Sequence, residues 1–274
     1  MRERWPNGAG ASSGCAWVTE VDLRASATGE ELVQAAADLM VSTLAGAIEH
    51  RGRARWVLAG GTTPLALYRR LAADPTALDW SRVEFFWGDE RCVPPSAEAS
   101  NFRAAREALL DPLGIAESRC RRIRGELEPV EAAARYSAAV ARVLAGSAWD
   151  LVLLGLGSDG HTASLFPPRL PELPAVPALP GQTRQENAPW AVATRAPSPP
   201  HARVSLTLPA LNRARRILFL VSGQAKAAAL ARVVAGDPAL HASAVAPRAG
   251  TVTWCVDSDA AGELPAAVQL RQKP

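Results

Sequence analysis

An aspartate and a histidine lie two positions apart, just after a strongly apolar segment that ends in glycines. The segment Asp150–Leu154 runs into Gly-Leu-Gly-Ser-Asp-Gly-His, which brings in Asp159 and His161. A histidine can take a proton from water near neutral pH, and a neighbouring carboxylate can orient its ring. A structural histidine is the ordinary alternative. Because glycines leave room for a substrate beside the ring, we expect His161 to be a general base and Asp159 its partner.

A second candidate site is Leu58-Ala-Gly-Gly-Thr-Thr-Pro64, where a predicted strand turns into a predicted helix. Gly60 and Gly61 allow the turn, and backbone N–H groups at a helix start attract anions. Thr62 and Thr63 add hydroxyl donors, so the segment is a candidate phosphate loop. It lacks the Gly-Lys-Ser/Thr ending of a Walker A loop, and a plain junction with a threonine cap would look similar.

Two further segments place charges at the ends of predicted elements. Asp89, Glu90 and Arg91 follow the predicted strand Val83–Trp87 after a single glycine, at the end where α/β sheets collect site residues, although solvated loop charges are the simpler alternative. Lys226 falls in the first turn of a predicted helix, where a cation opposes the helix dipole. That conflict suggests a nearby anion, and a surface lysine with its stem on apolar groups is the alternative.

The glycines at 155–160 also satisfy the pattern G-x-G-x-x-G literally. A dinucleotide-binding unit needs a second strand and an acidic ribose contact about 20 residues later. The segment after His161 is proline-rich instead, which argues against a nicotinamide cofactor.

Strands and helices of ordinary length alternate along the chain, which predicts an α/β protein with a mainly parallel sheet covered by helices on both faces, a Rossmann-like arrangement. The strands are predicted near residues 17–21, 55–59, 83–87, 150–154, 188–194, 202–206, 217–221 and 251–256, and the helices near 30–49, 64–71, 101–110, 130–144 and 224–234, with another starting near 162 and an irregular stretch at 167–180.

The composition is that of an ordinary globular protein of 274 residues, with 48% apolar residues, 21% charged residues and a net charge of +3. Its basic residues form no block, which argues against general nucleic-acid binding. Residues 1–15 resemble a loose tail rather than a signal peptide, and we assign 16–274 to a single domain. With no apolar run of the roughly 20 residues of a membrane span and four widely spaced cysteines, we expect a cytoplasmic protein with reduced thiols.

Together these segments resemble the 6-phosphogluconolactonase family, whose fold is similar to that of glucosamine-6-phosphate deaminases. The matching segments follow one another in family order over most of residues 17–260. They are Gly-Gly-Thr-Thr-Pro (60–64), Trp-Gly-Asp-Glu-Arg-Cys-Val-Pro (87–94), Ser-Asn (100–101), Gly-Leu-Gly-Ser-Asp-Gly-His-Thr-Ala-Ser-Leu-Phe-Pro (155–167), Ser-Leu-Thr-Leu-Pro-Ala-Leu-Asn (205–212) and Gly-Gln-Ala-Lys-Ala (223–227).

The resemblance implies hydrolysis of 6-phospho-D-glucono-1,5-lactone to 6-phosphogluconate in the oxidative pentose phosphate pathway, with no metal and no cofactor. His161 would activate the attacking water, and Asp159 would orient the His161 ring or handle a proton. We expect a small-molecule sugar-phosphate lactone as the partner, no nucleic acid or membrane, and a monomer or small homo-oligomer. The substrate-binding residues that it implies are Gly60, Gly61, Thr62, Thr63, Asp89, Arg91, Asn101, Arg203 and Lys226.

Two rival functions remain open. A sugar-phosphate deaminase or isomerase is the nearer one, but in that group the histidine motif continues with Asn-Glu-Pro, whereas this chain has Leu165-Phe166-Pro167 and lacks the carboxylate. The other rival is a non-catalytic sugar-phosphate sensor, which would keep an anion site and have no need for His161.

Overall fold

The computed structural model describes residues 22–144, 146–167 and 189–269. Its strands are β1 (Asp22–Ser26), β2 (Ala54–Leu58), β3 (Val83–Trp87), β4 (Asp89–Arg91), β5 (Cys120–Arg121), β6 (Leu151–Leu154), β7 (Ala191–Arg195), β8 (Ala202–Leu206), β9 (Arg216–Val221) and β10 (Thr251–Asp257). Its α-helices are α1 (Gly29–Arg51), α2 (Thr62–Ala72), α3 (Asn101–Ala105, continued by a π-helical turn, Arg106–Leu110), α4 (Pro129–Leu144), α5 (Leu208–Leu211), α6 (Ala227–Val234) and α7 (Ala266–Gln269).

The main sheet has seven strands in the order β1-β10-β9-β6-β2-β3-β5, and all its strand pairs are parallel. Every residue of β2 and β6 is buried, including those on alternate sides of each strand. Such strands need cover on both faces, which explains why their residues are apolar apart from Arg55 of β2. The predicted α/β class, with a mainly parallel sheet and helices packed on it in a single domain, is confirmed.

The order of strands reverses at β2. From β2 the chain builds outward through β3 to β5 on one side, and later through β6 and β9 to β10 on the other. The connections after β2 and β6 therefore leave the sheet in opposite directions and open a crevice at the carboxyl ends of these two strands. Both connections are glycine-rich, with Gly60 and Gly61 after β2 and Gly155 and Gly157 after β6.

A second, antiparallel sheet stands beyond the end of β3, with the strand order β4-β8-β7. Gly88 joins the two sheets, because its N–H donates to Leu58 O at 2.9 Å and its carbonyl accepts from Leu206 N at 2.7 Å. The strands β4 and β5 and the helices α5 and α7 were not predicted, since two to four residues show no measurable periodicity. Strand β1 was not predicted either, because the first strand was expected at residues 17–21.

Helix α1 is the longest helix of the described residues and covers the sheet beside β2 and β10. Thr28 caps its start by accepting from Glu31 N, and Gly52, with φ of +72°, ends it. By length and composition α1 could cross a membrane, contrary to the expectation that no segment could, although core helices of globular proteins pass the same test. Six of its residues are buried against its neighbours: Leu32, Ala36, Ala37, Met40, Leu44 and Ala47.

One predicted element is wrong. No helix starts near Thr162, because the chain makes a tight turn in which Thr162 and Leu165 form a β-bridge. Ala163 at the turn adopts φ of +48°, a left-handed conformation that a helix does not contain. The predicted strand at 17–21, the tail at 1–15 and the irregular stretch from 168 to 180 lie outside the described residues, and the domain boundary at residue 16 stays a prediction.

Candidate active site

A cleft of about 300 Å³ lies at the carboxyl ends of β2 and β6, where the strand order reverses. It is open to solvent and has the size of a small-ligand site. The loops that line it come from distant parts of the sequence, as the parallel sheet requires. Eight of the eleven predicted site residues line it: Gly60, Gly61, Asp89, Arg91, Asn101, His161, Arg203 and Lys226.

His161 and Asp159 form the predicted pair. The ring Nδ1 of His161 lies 2.5 Å from Asp159 Oδ1, and the same oxygen accepts from the backbone N–H of His161 at 3.1 Å. Since a carboxylate oxygen accepts, this contact assigns the ring proton to Nδ1 and leaves Nε2 with its lone pair free. Burial raises the pKa of the Asp159 carboxyl, but the hydrogen bonds and charge of His161 outweigh it and hold that pKa below its usual range.

The His161 side chain is 31% exposed and is therefore within reach of solvent. One side of the ring packs on Phe166, with 4.5 Å between ring centroids. Asp159 contacts the ring at Nδ1 and is not among the residues that line the cleft. The arrangement suits a proton acceptor with one face against an apolar wall and its free nitrogen accessible.

Glycine is required at two positions of the loop that carries His161. A Cβ on Gly157 would lie 2.1 Å from His161 Nδ1 and 2.5 Å from Asp159 Oδ1, so the pair occupies the space of a side chain. Gly160 adopts φ of +83° and packs against Leu240, whose side chain would be 2.6 Å from an added Cβ. The glycines that the sequence placed before the histidine thus let the Asp159–His161 pair fold back on its own loop.

Three cations share the cleft: Arg91 on β4, Arg203 on β8 and Lys226 just before α6. Arg91 donates to Ala99 O at 2.7 Å, and Arg203 donates to Pro200 O. Among the described residues none of the three forms an ion pair with a carboxylate. Cations without carboxylate partners in a cleft are suited to binding an anion.

Asp89 is the acidic group among these cations, and its contacts were missed from the sequence. Its Oδ2 accepts from the Ser164 hydroxyl at 2.5 Å, and its main-chain and side-chain oxygens accept from Asn101 Nδ2 at 3.0 and 3.3 Å. Ser164 belongs to the His161 loop and is 1% exposed. Asp89 therefore joins β4 to the loop after β6, a link that no local sequence pattern signals.

Two buried tyrosines fix the strand ends that precede the site. The hydroxyl of Tyr68 accepts from Ala59 N at 2.9 Å and donates to Ala59 O at 2.7 Å, just before Gly60. Tyr136 makes the same pair of bonds to Trp87, at 2.9 and 2.8 Å. Burial raises the pKa of both tyrosines, so their hydroxyls stay protonated donors.

Asp257, another residue that the sequence did not single out, holds the turn that precedes Lys226. Asp257 ends β10, is 5% exposed, and accepts from the Ser222 hydroxyl, from Gly223 N at 3.0 Å and from Ala260 N at 2.8 Å. Burial raises the pKa of Asp257, but these hydrogen bonds outweigh it and lower the pKa overall. The carboxylate thus holds the turn that leads to Lys226.

Thr62 and Thr63 begin α2 and do not line the cleft, which is bordered there by Gly60 and Gly61. Gly61 takes the N-cap position with φ of +106° and no side-chain cap, so backbone N–H groups of the first turn are left to bind elsewhere. Within the described ranges no cluster of three or more His, Cys, Asp or Glu side chains could hold a metal ion.

A family model described as glucosamine-6-phosphate isomerases/6-phosphogluconolactonase matches residues 27–254. The chain is 38% identical to the 6-phosphogluconolactonase of Mycobacterium tuberculosis over 251 residues, which cover 85% of this chain and 94% of that protein. It is 36% identical to the 6-phosphogluconolactonase of Streptomyces coelicolor over 253 residues, 86% of this chain and 92% of that protein.

The fold has solved counterparts. The crystal structure of 6-phosphogluconolactonase from Thermotoga maritima superimposes with a TM-score of 0.73 at 29% identity, covering 87% of this chain and all of that one. The chain belongs to the glucosamine-6-phosphate isomerase/6-phosphogluconolactonase family.

Proposed function

We propose that this protein is a 6-phosphogluconolactonase, which hydrolyses 6-phospho-D-glucono-1,5-lactone to 6-phospho-D-gluconate without a metal or cofactor. The observation that carries the proposal is the His161 ring, oriented by Asp159, in a cleft that also contains Arg91, Arg203 and Lys226. The relatives named 6-phosphogluconolactonase support the same activity. A cytoplasmic location and a monomeric or small homo-oligomeric state stay predictions.

In the proposed mechanism Nε2 of His161 takes a proton from a water molecule, which attacks the lactone carbonyl. Asp159 keeps the proton on Nδ1 and stabilises the imidazolium that forms, because its carboxylate lies 2.5 Å from that nitrogen. The imidazolium then returns its proton to the ring oxygen as the C–O bond breaks.

Attack on the carbonyl creates an oxyanion, which needs donors that are in place beforehand. Backbone N–H groups that border the cleft and one of its three cationic side chains can supply them. The remaining cationic groups hold the phosphate, and the first turn of α2 adds the positive end of a helix dipole. Because the phosphate fixes the sugar relative to the water, its binding energy contributes to rate as well as to affinity.

Phe166 favours hydrolysis over the isomerase reaction of the same family. Its ring packs on His161, where the related motif Asn-Glu-Pro would bring a carboxylate. An apolar ring cannot transfer the proton that ring opening of an amino sugar requires.

The test is a pH-stat assay on freshly made 6-phosphogluconolactone, with an enzyme-free control for spontaneous opening. We expect acid release well above that control and no ammonia from glucosamine 6-phosphate. Ammonia release at a comparable rate would favour the isomerase. Tight binding of 6-phosphogluconate without any acceleration of hydrolysis would favour the sensor.

A further inference from the structure

Glu90 is a buried carboxylate between two residues that line the cleft. Asp89 and Arg91, its neighbours on β4, face the cleft, while Glu90 lies outside the cleft lining and is 2% exposed. A buried charge is costly unless it is fully hydrogen-bonded. Its presence one residue from two site residues calls for an explanation that the proposed mechanism does not provide.

Glu90 accepts four hydrogen bonds, two on each oxygen. Its Oε1 accepts from the backbone N–H groups of Arg91 and Asn101, both at 2.7 Å. Its Oε2 accepts from Phe102 N at 2.8 Å and from the Ser100 hydroxyl at 3.1 Å. The carboxylate therefore satisfies N–H groups at the start of α3 that have no partner within the helix.

The same contacts continue into the cleft. Asn101, held through its backbone by Glu90, donates its side-chain amide to Asp89 at 3.0 and 3.3 Å. The Asn101 amide also packs directly on Gly60, where an added Cβ would lie 2.0 Å from its oxygen. Glu90 thus connects β4, the start of α3 and the loop after β2.

We propose that Glu90 is a positioning residue for substrate binding: it fixes Asp89, Arg91 and Asn101 relative to the Gly60–Gly61 loop without touching the substrate. A carboxylate is needed because three of the four partners are backbone N–H groups, which can only donate. A glutamine in its place would have one accepting oxygen and would direct an N–H₂ group at donors that also carry hydrogens. Burial raises the pKa of Glu90, while the N–H groups of Phe102, Asn101 and Arg91 oppose that effect.

The test compares Glu90→Gln with Glu98→Gln, the same chemical change at an exposed residue of the connection between β4 and α3. For Glu90→Gln we expect faster hydrogen exchange at the amides of Arg91, Asn101 and Phe102, and an affinity for inorganic phosphate about 10- to 100-fold lower, as for loss of a hydrogen bond to a charged group. We expect KM for the lactone to rise by a similar factor and kcat to change less. Glu98→Gln should match the wild type in all these measurements.

Glu90→Asp keeps the charge but is one methylene shorter, and it should recover part of the lost phosphate affinity. It also serves as the comparison if Glu90→Gln does not fold. A lower melting temperature in both Glu90 variants with unchanged phosphate affinity and unchanged KM would mean that Glu90 is structural only, which overturns the inference.

The kinetic part of this test rests on the proposed function, whereas exchange and phosphate binding do not. A wild-type protein that binds phosphate but does not hydrolyse the lactone contradicts the proposed function and leaves the Glu90 inference to be decided by exchange and affinity.

Discussion

Arg91 and Arg203 face each other across the antiparallel pair of β4 and β8, so two guanidinium groups belong to one cleft. Burial and the charge of Arg91 lower the pKa of Arg203. Like charges at directly opposite positions destabilise a strand pair. The folded protein therefore carries an electrostatic cost here that a bound phosphate dianion would relieve.

Replacing Arg203 tests this relationship. For Arg203→Gln we expect KM for the lactone to rise about 10- to 100-fold, because a hydrogen bond to a charged group contributes roughly 1.5–3 kcal/mol. The wild-type KM should also rise with salt, which screens charges at an open cleft. Initial rates at several ionic strengths measure both effects. Arg195→Gln, at an exposed arginine of the neighbouring strand β7, is the control and should leave KM unchanged.

His161→Ala should separate catalysis from binding. We expect kcat to fall by ~10²–10⁴, the usual contribution of a general base, with phosphate affinity nearly intact. Asp159→Asn should also lower kcat, since an amide in place of the carboxylate no longer fixes the ring proton on Nδ1. His50→Ala, at an exposed histidine of α1, is the control. Unchanged turnover in His161→Ala would remove this residue from the mechanism.

The elements that could be predicted from the sequence are those long enough to show a pattern of apolar residues. Strands β3 and β8 have their predicted bounds, and β2, β6, β9 and β10 lie within one residue of theirs, because each is a mostly buried segment rich in apolar residues between turn residues. The turn at Ala163 was not foreseen, since its left-handed backbone depends on the bridge between Thr162 and Leu165.

For the candidate site, the alternation of strands and helices was enough to predict that His161, Asp89 and Gly60 lie at one edge of the sheet. The side-chain contacts across that edge could not be predicted from the sequence. Pairing Arg91 with Arg203 requires the register of an antiparallel sheet whose strands are more than 100 positions apart along the chain. The burial of Glu90 likewise depends on α3 folding back over β4, and a glutamate followed by arginine gives no local sign of it.

Gly157→Ala tests whether the His161 ring needs the space over this glycine. The added methyl would overlap His161 Nδ1 and Asp159 Oδ1, so the pair must separate. We expect kcat to fall about 10²-fold, as for a displacement of roughly 1 Å at a reacting group. Gly46→Ala, in helix α1 and outside the cleft lining, with nothing within 4 Å of the added methyl, should keep its kcat. Equal kcat values for the two variants would contradict the assigned ring position.

Tyr68→Phe tests the anchoring of the strand end before Gly60. Removing the hydroxyl leaves the half-buried N–H and C=O of Ala59 without their partner, so we expect a loss of about 1–3 kcal/mol in the free energy of unfolding. Urea denaturation measures it. Tyr136→Phe should cost a similar amount, because its hydroxyl makes the same two bonds to Trp87. A loss in one variant and none in the other would show that the two anchors are not equivalent.

Asp257→Asn gives a prediction about pH. The folded-state pKa of Asp257 is lowered, so its contribution to stability is present above the usual aspartate value, about 3.9, and is lost as the pH falls through the folded-state pKa. We expect the variant to be about 1–3 kcal/mol less stable than the wild type at pH 7, and this difference to shrink below about pH 4.

Urea denaturation of both proteins at pH 7 and pH 3 measures the Asp257 effect, and comparing differences cancels the acid titration of other carboxylates. Asp259→Asn, at an exposed aspartate of the next turn, should show no such pH-dependent difference. Because Asp257 holds the turn before Lys226, Asp257→Asn should also raise KM for the lactone at pH 7. A stability difference that stays constant from pH 7 to pH 3 would mean that the ionised carboxylate of Asp257 is not what stabilises this turn.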